Sequence, residues 1–339
     1  MGKILLNLSK NMVKLSMDNI EIGKFSGYLN EKFPSQINLD ITMFCNLRCI
    51  HCPYESVTHP MGKSRVNMSI DLHSKIIDEI AVSGKNITRY IRYTGDGEPL
   101  IHPNISEMIT YASKTLSLPI NLTTNGSFLN EKKIEELILS GVTVFDVSID
   151  AASKEVYEQI RVGGDFNQVV ANTLNAVRRT SELKDVSVVV SFVKQKLNLH
   201  EVDLFTKFWQ QSGVKDVIIR NGHSAAGAIK SRAKEMWDEA PKVRTPCLYP
   251  WERLVVKADG EITYCPADWH HIAGVGNLNS KRISEVWQSD ELKTLRKNHI
   301  ENTLPENSFC GKCPDWSVIK WPSEGRSYAT LMHEIANEL

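Results

Sequence analysis

Cys45, Cys49 and Cys52 fall in the run Cys45-Asn46-Leu47-Arg48-Cys49-Ile50-His51-Cys52, a C-x3-C-x2-C spacing just past the apolar stretch 36–43. Three thiolates closing on one loop suit a cubane iron–sulfur cluster, which takes one sulfur ligand per iron and here would lack the fourth. One iron is then open to a substrate or cofactor, whereas a structural zinc site wants all four positions filled by protein. A zinc knuckle and three unrelated buried thiols are the competing readings. The other four of the seven cysteines, Cys247, Cys265, Cys310 and Cys313, share one short stretch. Cys310-Gly311-Lys312-Cys313 is a C-x2-C knuckle, so four thiolates could meet on one site, with four-cysteine zinc as the physical competitor.

From residue 36 to about 223, short β-branched runs alternate with amphipathic helical periods, the pattern of βα units and a parallel sheet. Strands are expected over 36–43, 89–94, 120–124, 143–149, 186–193 and 216–220. Between them, helical spacing puts Leu72, Ile76, Ile77 and Ile80 on one face, Ile134, Leu137 and Ile138 on another, and Phe166, Val169, Val170, Leu174 and Val177 on a third. These faces should pack on the sheet. Right-handed crossovers curl such a series into a barrel or an open sheet, and the pattern alone does not choose. In either form, functional groups sit on loops after the strand C-termini. Residues 222–246, rich in Ala, Gly and Lys, read as a linker with a short helix. A hairpin follows around Ala258-Asp259-Gly260-Glu261, because Asp-Gly supplies the positive φ of a tight turn. A broken helix is expected over 283–298. Trp251, Trp269, Trp287, Trp316 and Trp321 read mostly as packing for a small domain short of core.

At 339 residues, the chain is long enough for one large domain and a smaller one. Lys plus Arg equals Asp plus Glu at 40 each, so no global field steers it to nucleic acid or an anionic membrane. No window approaches the roughly 18 apolar residues of a membrane span. The start lacks a secretory pattern, and Leu6 spoils a myristoylation motif. An odd, thinly spread cysteine count argues against a disulfide framework. The expectation is a cytoplasmic protein with no membrane or nucleic-acid partner.

The cysteine loop resembles that of the radical S-adenosylmethionine (SAM) superfamily, in which an aromatic residue usually precedes the last cysteine; His51 stands there. The resemblance implies that SAM chelates the open iron and is cleaved by an electron from the cluster to a 5'-deoxyadenosyl radical. Gly95-Asp96-Gly97-Glu98-Pro99 resembles the family's Gly-Gly-Glu-Pro motif, which implies that Gly97 and Glu98 hold the SAM amino group. Asp96 replaces a glycine common there. Asn125 in Thr124-Asn125-Gly126, Ser148 and Arg161 match positions that hold the SAM ribose and carboxylate, and Arg suits a carboxylate through its planar fork. The later cysteines resemble the shortened auxiliary-cluster (twitch, SPASM-type) domain, especially its 2-deoxy-scyllo-inosamine dehydrogenase branch. A second, fully ligated [4Fe–4S] cluster is implied.

The fold class so implied is α/β: a partial (β/α)6 TIM-like barrel over 36–223, a linker over 224–246, and a small hairpin/helix auxiliary-cluster domain over 247–321. An N-terminal extension covers 1–35 and a tail 322–339. The extension is expected to be too short for a separate leader-binding fold. Radical epimerases commonly use a spare cysteine thiol to return a hydrogen, and three plus four leaves none spare. A dehydrogenase needs no such donor, which favours oxidation of a secondary alcohol of a sugar, aminocyclitol or polyol to a ketone, with the auxiliary cluster as electron acceptor. Arg220, Asn221 and His223 follow the last barrel strand and are expected to face the substrate, with His223 as proton acceptor. A flavodoxin or ferredoxin would supply electrons. Epimerisation, peptide maturation and a zinc-binding interaction protein are the other readings.

Overall fold

The structure, a computed structural model, describes residues 30–55, 65–241 and 243–319. Most of the N-terminal extension, Trp321 and the tail lie outside them. In chain order the strands are β1 (Gln36–Leu39), β2 (Arg48–Cys49), β3 (Tyr90–Tyr93), β4 (Ile120–Thr124), β5 (Val144–Ser148), β6 (Arg161–Val162), β7 (Ser187–Lys194), β8 (Asp216–Asn221), β9 (Arg253–Val256), β10 (Glu261–Thr263) and β11 (Gly274–Asn277).

The six strands expected from the pattern form one parallel series in sequence order, β1-β3-β4-β5-β7-β8. Helices follow them at Ile70–Ser83, Ile105–Thr115, Glu131–Ser140, Phe166–Thr180 and Val202–Gln211. Their starts are set by local chemistry: Ser69, Asn130 and Asp165 side chains each accept a first-turn backbone N–H. Gly141, at φ 103°, ends the helix Glu131–Ser140 in the left-handed region that a side chain resists. β1 ends at Leu39, earlier than expected, because the chain turns into the cysteine loop and Thr42 bridges to Asn67.

Alternation along the strands sorts residues to two sides. Ile37, Leu39, Ile91, Leu122, Phe145, Val147, Val190 and Phe192 join the helices in the main core. Tyr90, Val144 and Val189, with Ile218 against them, form a separate apolar plug on the inner side. Two residues further along, the inner side turns polar: Arg92 Nη2 lies 3.0 Å from Asp146, and Arg220 Nη2 lies 3.4 Å from Asp146 and 3.2 Å from Ser191. The two contacts to Asp146 skip over an intervening strand, β4 on one side and β7 on the other, as a sheet curled around them requires. The barrel is therefore filled in layers, apolar at the base and polar above.

The C-terminal hairpin is not set apart from the barrel. β9 pairs parallel with β1, and β10 and β11 add antiparallel, so one sheet of nine strands runs through both regions. Gly260 makes the Asp-Gly turn at φ 85°. Glu79 of the first barrel helix accepts the backbone N–H groups of Ile283 and Ser284 at 2.8 and 3.0 Å, capping an auxiliary-region helix across the interface.

Candidate active site

β2, inside the cysteine loop, pairs antiparallel with β6, so Cys49 lies opposite Arg161. That two-residue ladder is what brings a segment 112 positions downstream to the loop. Tyr54 braces the loop from below: its hydroxyl accepts the Cys45 N–H and donates to the Met43 carbonyl, both at 3.2 Å. Cys45, Cys49 and Cys52 are all half-buried free thiols. Burial pushes their proton affinities up, to about 11 for Cys45 and about 12 for Cys52, so binding a metal must displace protons.

The 95–99 turn lies against this loop. A Cβ on Gly97 would sit 2.4 Å from the Phe44 and Thr42 carbonyl oxygens, so only glycine fits. Glu98 is buried, and its carboxylate accepts from Leu100 N–H (3.1 Å), the Thr124 hydroxyl (2.7 Å) and Asn125 N–H (2.7 Å). A carboxylate has about four acceptor positions, so one is left for an incoming ammonium. Burial raises its proton affinity. The Asn125 side-chain amide donates to Asn46 at 2.8 Å, tying the β4 end to the cysteine loop. Gly126 holds φ 77°.

Asp150, which motif reasoning passed over, organises the other side. It is fully buried in the left-handed region at φ 66°. Its carboxylate accepts from Arg161 Nη2 at 2.6 Å and from Val193 N–H at 2.7 Å, and its other neighbour is His51 Nε2 at 3.6 Å. Burial works against the Arg161 charge, but Asp150 overrides it and raises the guanidinium above its usual range. His51 is held neutral, pushed down to about 4 by burial, and Gln195 Nε2 lies 3.2 Å from its Nδ1. Ser148 ends β5 opposite Ser191, half-buried, two positions before Asp150. The signal that could have flagged Asp150 is an acidic residue directly after an apolar strand end.

Beyond the turn lies a cavity of about 550 Å³. Asn38, Arg92, Thr123, Arg220 and Asn221 line it from the barrel strands, and His223 from the chain beyond β8. Cys247, Cys265, Cys310 and Cys313 line the same cavity from the auxiliary region, with Arg244, Trp269, His299 and Trp316. His223 is open to the cavity, and burial by the surrounding protein lowers its proton affinity. Its Nδ1 accepts the Ala225 N–H at 3.0 Å. That bond occupies one ring nitrogen as an acceptor, so the neutral ring carries its proton on Nε2 and presents a donor.

The residues fit iron–sulfur groups. Arg161 Nε beside the first loop, and Arg244 Nε, Trp269 Nε1, His299 Nε2 and Trp316 Nε1 around the second cysteine set, are buried with no hydrogen-bond partner among the described residues. Cluster sulfides and thiolates are acceptors of the kind such orphaned donors need. Tyr264 Oη is already 3.5 Å from Cys310 Sγ. Among the described residues, no three His, Cys, Asp or Glu side chains converge as a single-ion site would demand, and a cubane spreads its ligands over separate irons.

The Radical SAM superfamily model matches residues 39–203, and a SPASM iron–sulfur cluster-binding domain matches 247–314. The chain belongs to the radical SAM superfamily. As a radical SAM enzyme with a SPASM domain it uses SAM and [4Fe–4S] clusters, an auxiliary cluster among them. It is 32% identical to an AdoMet-dependent heme synthase of Methanosarcina barkeri over 50% of this chain and 45% of that protein. It is 26% identical to the mycofactocin maturase MftC of Mycobacterium ulcerans over 72% of the chain and 60% of the relative. The SAM-dependent 2-deoxy-scyllo-inosamine dehydrogenase of Niallia circulans is 24% identical over 85% of this chain and 96% of its own length. The chain thus spans about half of the first relative, three fifths of the second and nearly all of the third. The crystal structure of BtrN in complex with AdoMet and 2-DOIA superposes with a TM-score of 0.59 at 19% identity, covering 85% of this chain and 96% of that one. No helix among the described residues is long and apolar enough to cross a membrane.

Proposed function

We propose that this radical SAM enzyme oxidises a secondary alcohol on a sugar, aminocyclitol or related polyol to a ketone. The observation that carries the reading is the cavity, which is lined both by polar barrel residues and by all four auxiliary cysteines. Conversion of an alcohol to a ketone removes a hydrogen atom, a proton and an electron. SAM and the two clusters, when bound, supply the means of taking the hydrogen atom and the electron. The chain's own residues position the substrate.

Cys45, Cys49 and Cys52 would hold the SAM-binding cluster and the four later cysteines the auxiliary one. Gly97, Glu98, Asn125, Ser148 and Arg161 would hold SAM, with the Arg161 fork suited to its carboxylate. Arg92, Thr123, Asn38 and Arg220, together with Asn221, offer donors and acceptors around the cavity.

His223 suits the role of donor to a substrate oxygen better than that of proton acceptor, because protonation at Nδ1 would break its bond from Ala225. Asp40 also lines the cavity, but its carboxylate accepts from Lys257 Nζ at 2.9 Å, so taking a proton there would break a buried ion pair. A low-potential flavodoxin or ferredoxin is the proposed electron source.

The test is anaerobic incubation of the iron- and sulfide-loaded protein with SAM, dithionite and 2-deoxy-scyllo-inosamine alongside a panel of neutral cyclitols. A product two mass units lighter than its substrate is expected, together with 5'-deoxyadenosine. A mass-neutral product carrying one deuterium from heavy water would establish epimerisation instead, and turnover confined to peptides would establish maturation.

A further inference from the structure

We propose that Lys257, on the auxiliary hairpin, is a positioning residue for SAM, acting through Asp96 to fix the 95–99 turn. Asp96 stands where the resembling motif has glycine. The structure shows what the carboxylate does: both of its oxygens accept from Lys257 Nζ at 2.9 Å. Lys257 also donates to Asp40 Oδ2 at 2.9 Å, at the end of β1, and is itself 1% exposed. His271 Nε2 lies 3.6 Å from Asp96, and His271 Nδ1 lies 2.9 Å from Glu261 Oε2 at the start of β10. One buried ammonium therefore joins the first strand, the turn after β3 and the auxiliary hairpin.

A buried charge that loses a partner is left uncompensated, so the turn and the hairpin cannot move apart independently. Gly95 fits the same arrangement: at φ 128° it packs on Asp40 so closely that a Cβ would lie 2.1 Å from the carboxyl carbon. Two residues past Asp96, Glu98 keeps one acceptor position open while holding Thr124 and Asn125. On the other side, the strand that follows the Lys257 turn leads to Cys265, two residues beyond β10. The anchor of the SAM turn and a ligand of the auxiliary site thus belong to one hairpin. This inference rests on the SAM site assigned above and not on the choice of alcohol as substrate.

The test is calorimetric titration of SAM into the anaerobic, iron-loaded protein. If the wild-type chain takes up no SAM, the assignment of the site itself fails. Given wild-type binding, Lys257→Met is expected to weaken SAM about tenfold or more at unchanged iron content. Lys257→Arg, which keeps a cation, should stay within about threefold, and failure of that rescue would place the effect in packing and overturn the proposal. Should Lys257→Met lose iron, Asp96→Asn decides, since it is isosteric and leaves Lys257 paired with Asp40; a several-fold loss of affinity is expected. SAM binding within about twofold of wild type in Asp96→Asn would overturn the proposal, whatever Lys257→Met shows.

Discussion

Asp150 holds three things in place with one carboxylate: the Arg161 guanidinium, the Val193 backbone and the neighbourhood of His51. Replacing it with Asn preserves a residue that tolerates the left-handed conformation and removes only the charge. Asp150→Asn should therefore leave iron content intact and lower substrate-independent SAM cleavage by about tenfold or more, read as 5'-deoxyadenosine formed per hour. Cys45, Cys49, Cys52 and the 95–99 turn were legible in the sequence because short spacing does their chemistry on one loop. Asp150 and Lys257 were not, since each works through a partner 11 to 217 positions away. His223 was legible as a cavity residue, but its tautomer depends on where the Ala225 N–H points.

Strand and helix positions followed the hydrophobic period closely, and the failures are informative about helix rotation. In the helix Phe166–Thr180, the expected packing face included Leu174, which is exposed, while Asn172 and Thr173 are buried in its stead. Asn172 Nδ2 donates to the Gly126 carbonyl at 2.8 Å, so the helix is turned to hold the loop after β4. Asn172→Ala would strand that buried carbonyl and should cost about 1–3 kcal/mol in urea unfolding. Leu174→Ala should change stability by about 0.5 kcal/mol or less. At the 95–99 turn, Gly97→Ala forces a methyl onto two carbonyl oxygens at 2.4 Å; lower retention of iron at the first cysteine loop is expected, measured against wild type after gel filtration. Arg92, Asp146 and Ser191, each a polar residue within an apolar strand, went unread in the sequence, and only strand curvature shows that they meet in a polar barrel interior.

At the scale of the molecule, barrel and auxiliary region share one sheet, one buried ion cluster and one cavity. If the four later cysteines hold a cluster of their own, Cys265→Ser should reduce iron from ~8 to ~4 per chain. Substrate-independent SAM cleavage should survive it, while oxidation of the substrate is lost. The ion cluster also makes stability depend on pH. Burial opposes a charge on His271, yet the hydrogen bonds it donates to the Asp96 and Glu261 carboxylates raise it to about 9. A raised folded-state value contributes stability fully below the ordinary histidine value and loses it as pH climbs through 9. The thermal midpoint should thus fall by roughly a few degrees between pH 7 and 9, and His271→Asn should flatten that slope in differential scanning.

The amino-acid sequence by itself determined the grouping of the first three thiols on one loop and the βα alternation, while the kind of metal group followed from the family resemblance. Thiol spacing within eight residues needs no tertiary information, and side-chain period needs only the backbone geometry of a helix or strand. Tertiary structure decided which polar residues face a common cavity, that the auxiliary hairpin extends the barrel sheet, and that Asp96 pairs with Lys257. Those are contacts between residues remote in the chain, made by sheet curvature and strand order, and no local pattern encodes a meeting that depends on where the whole chain has folded.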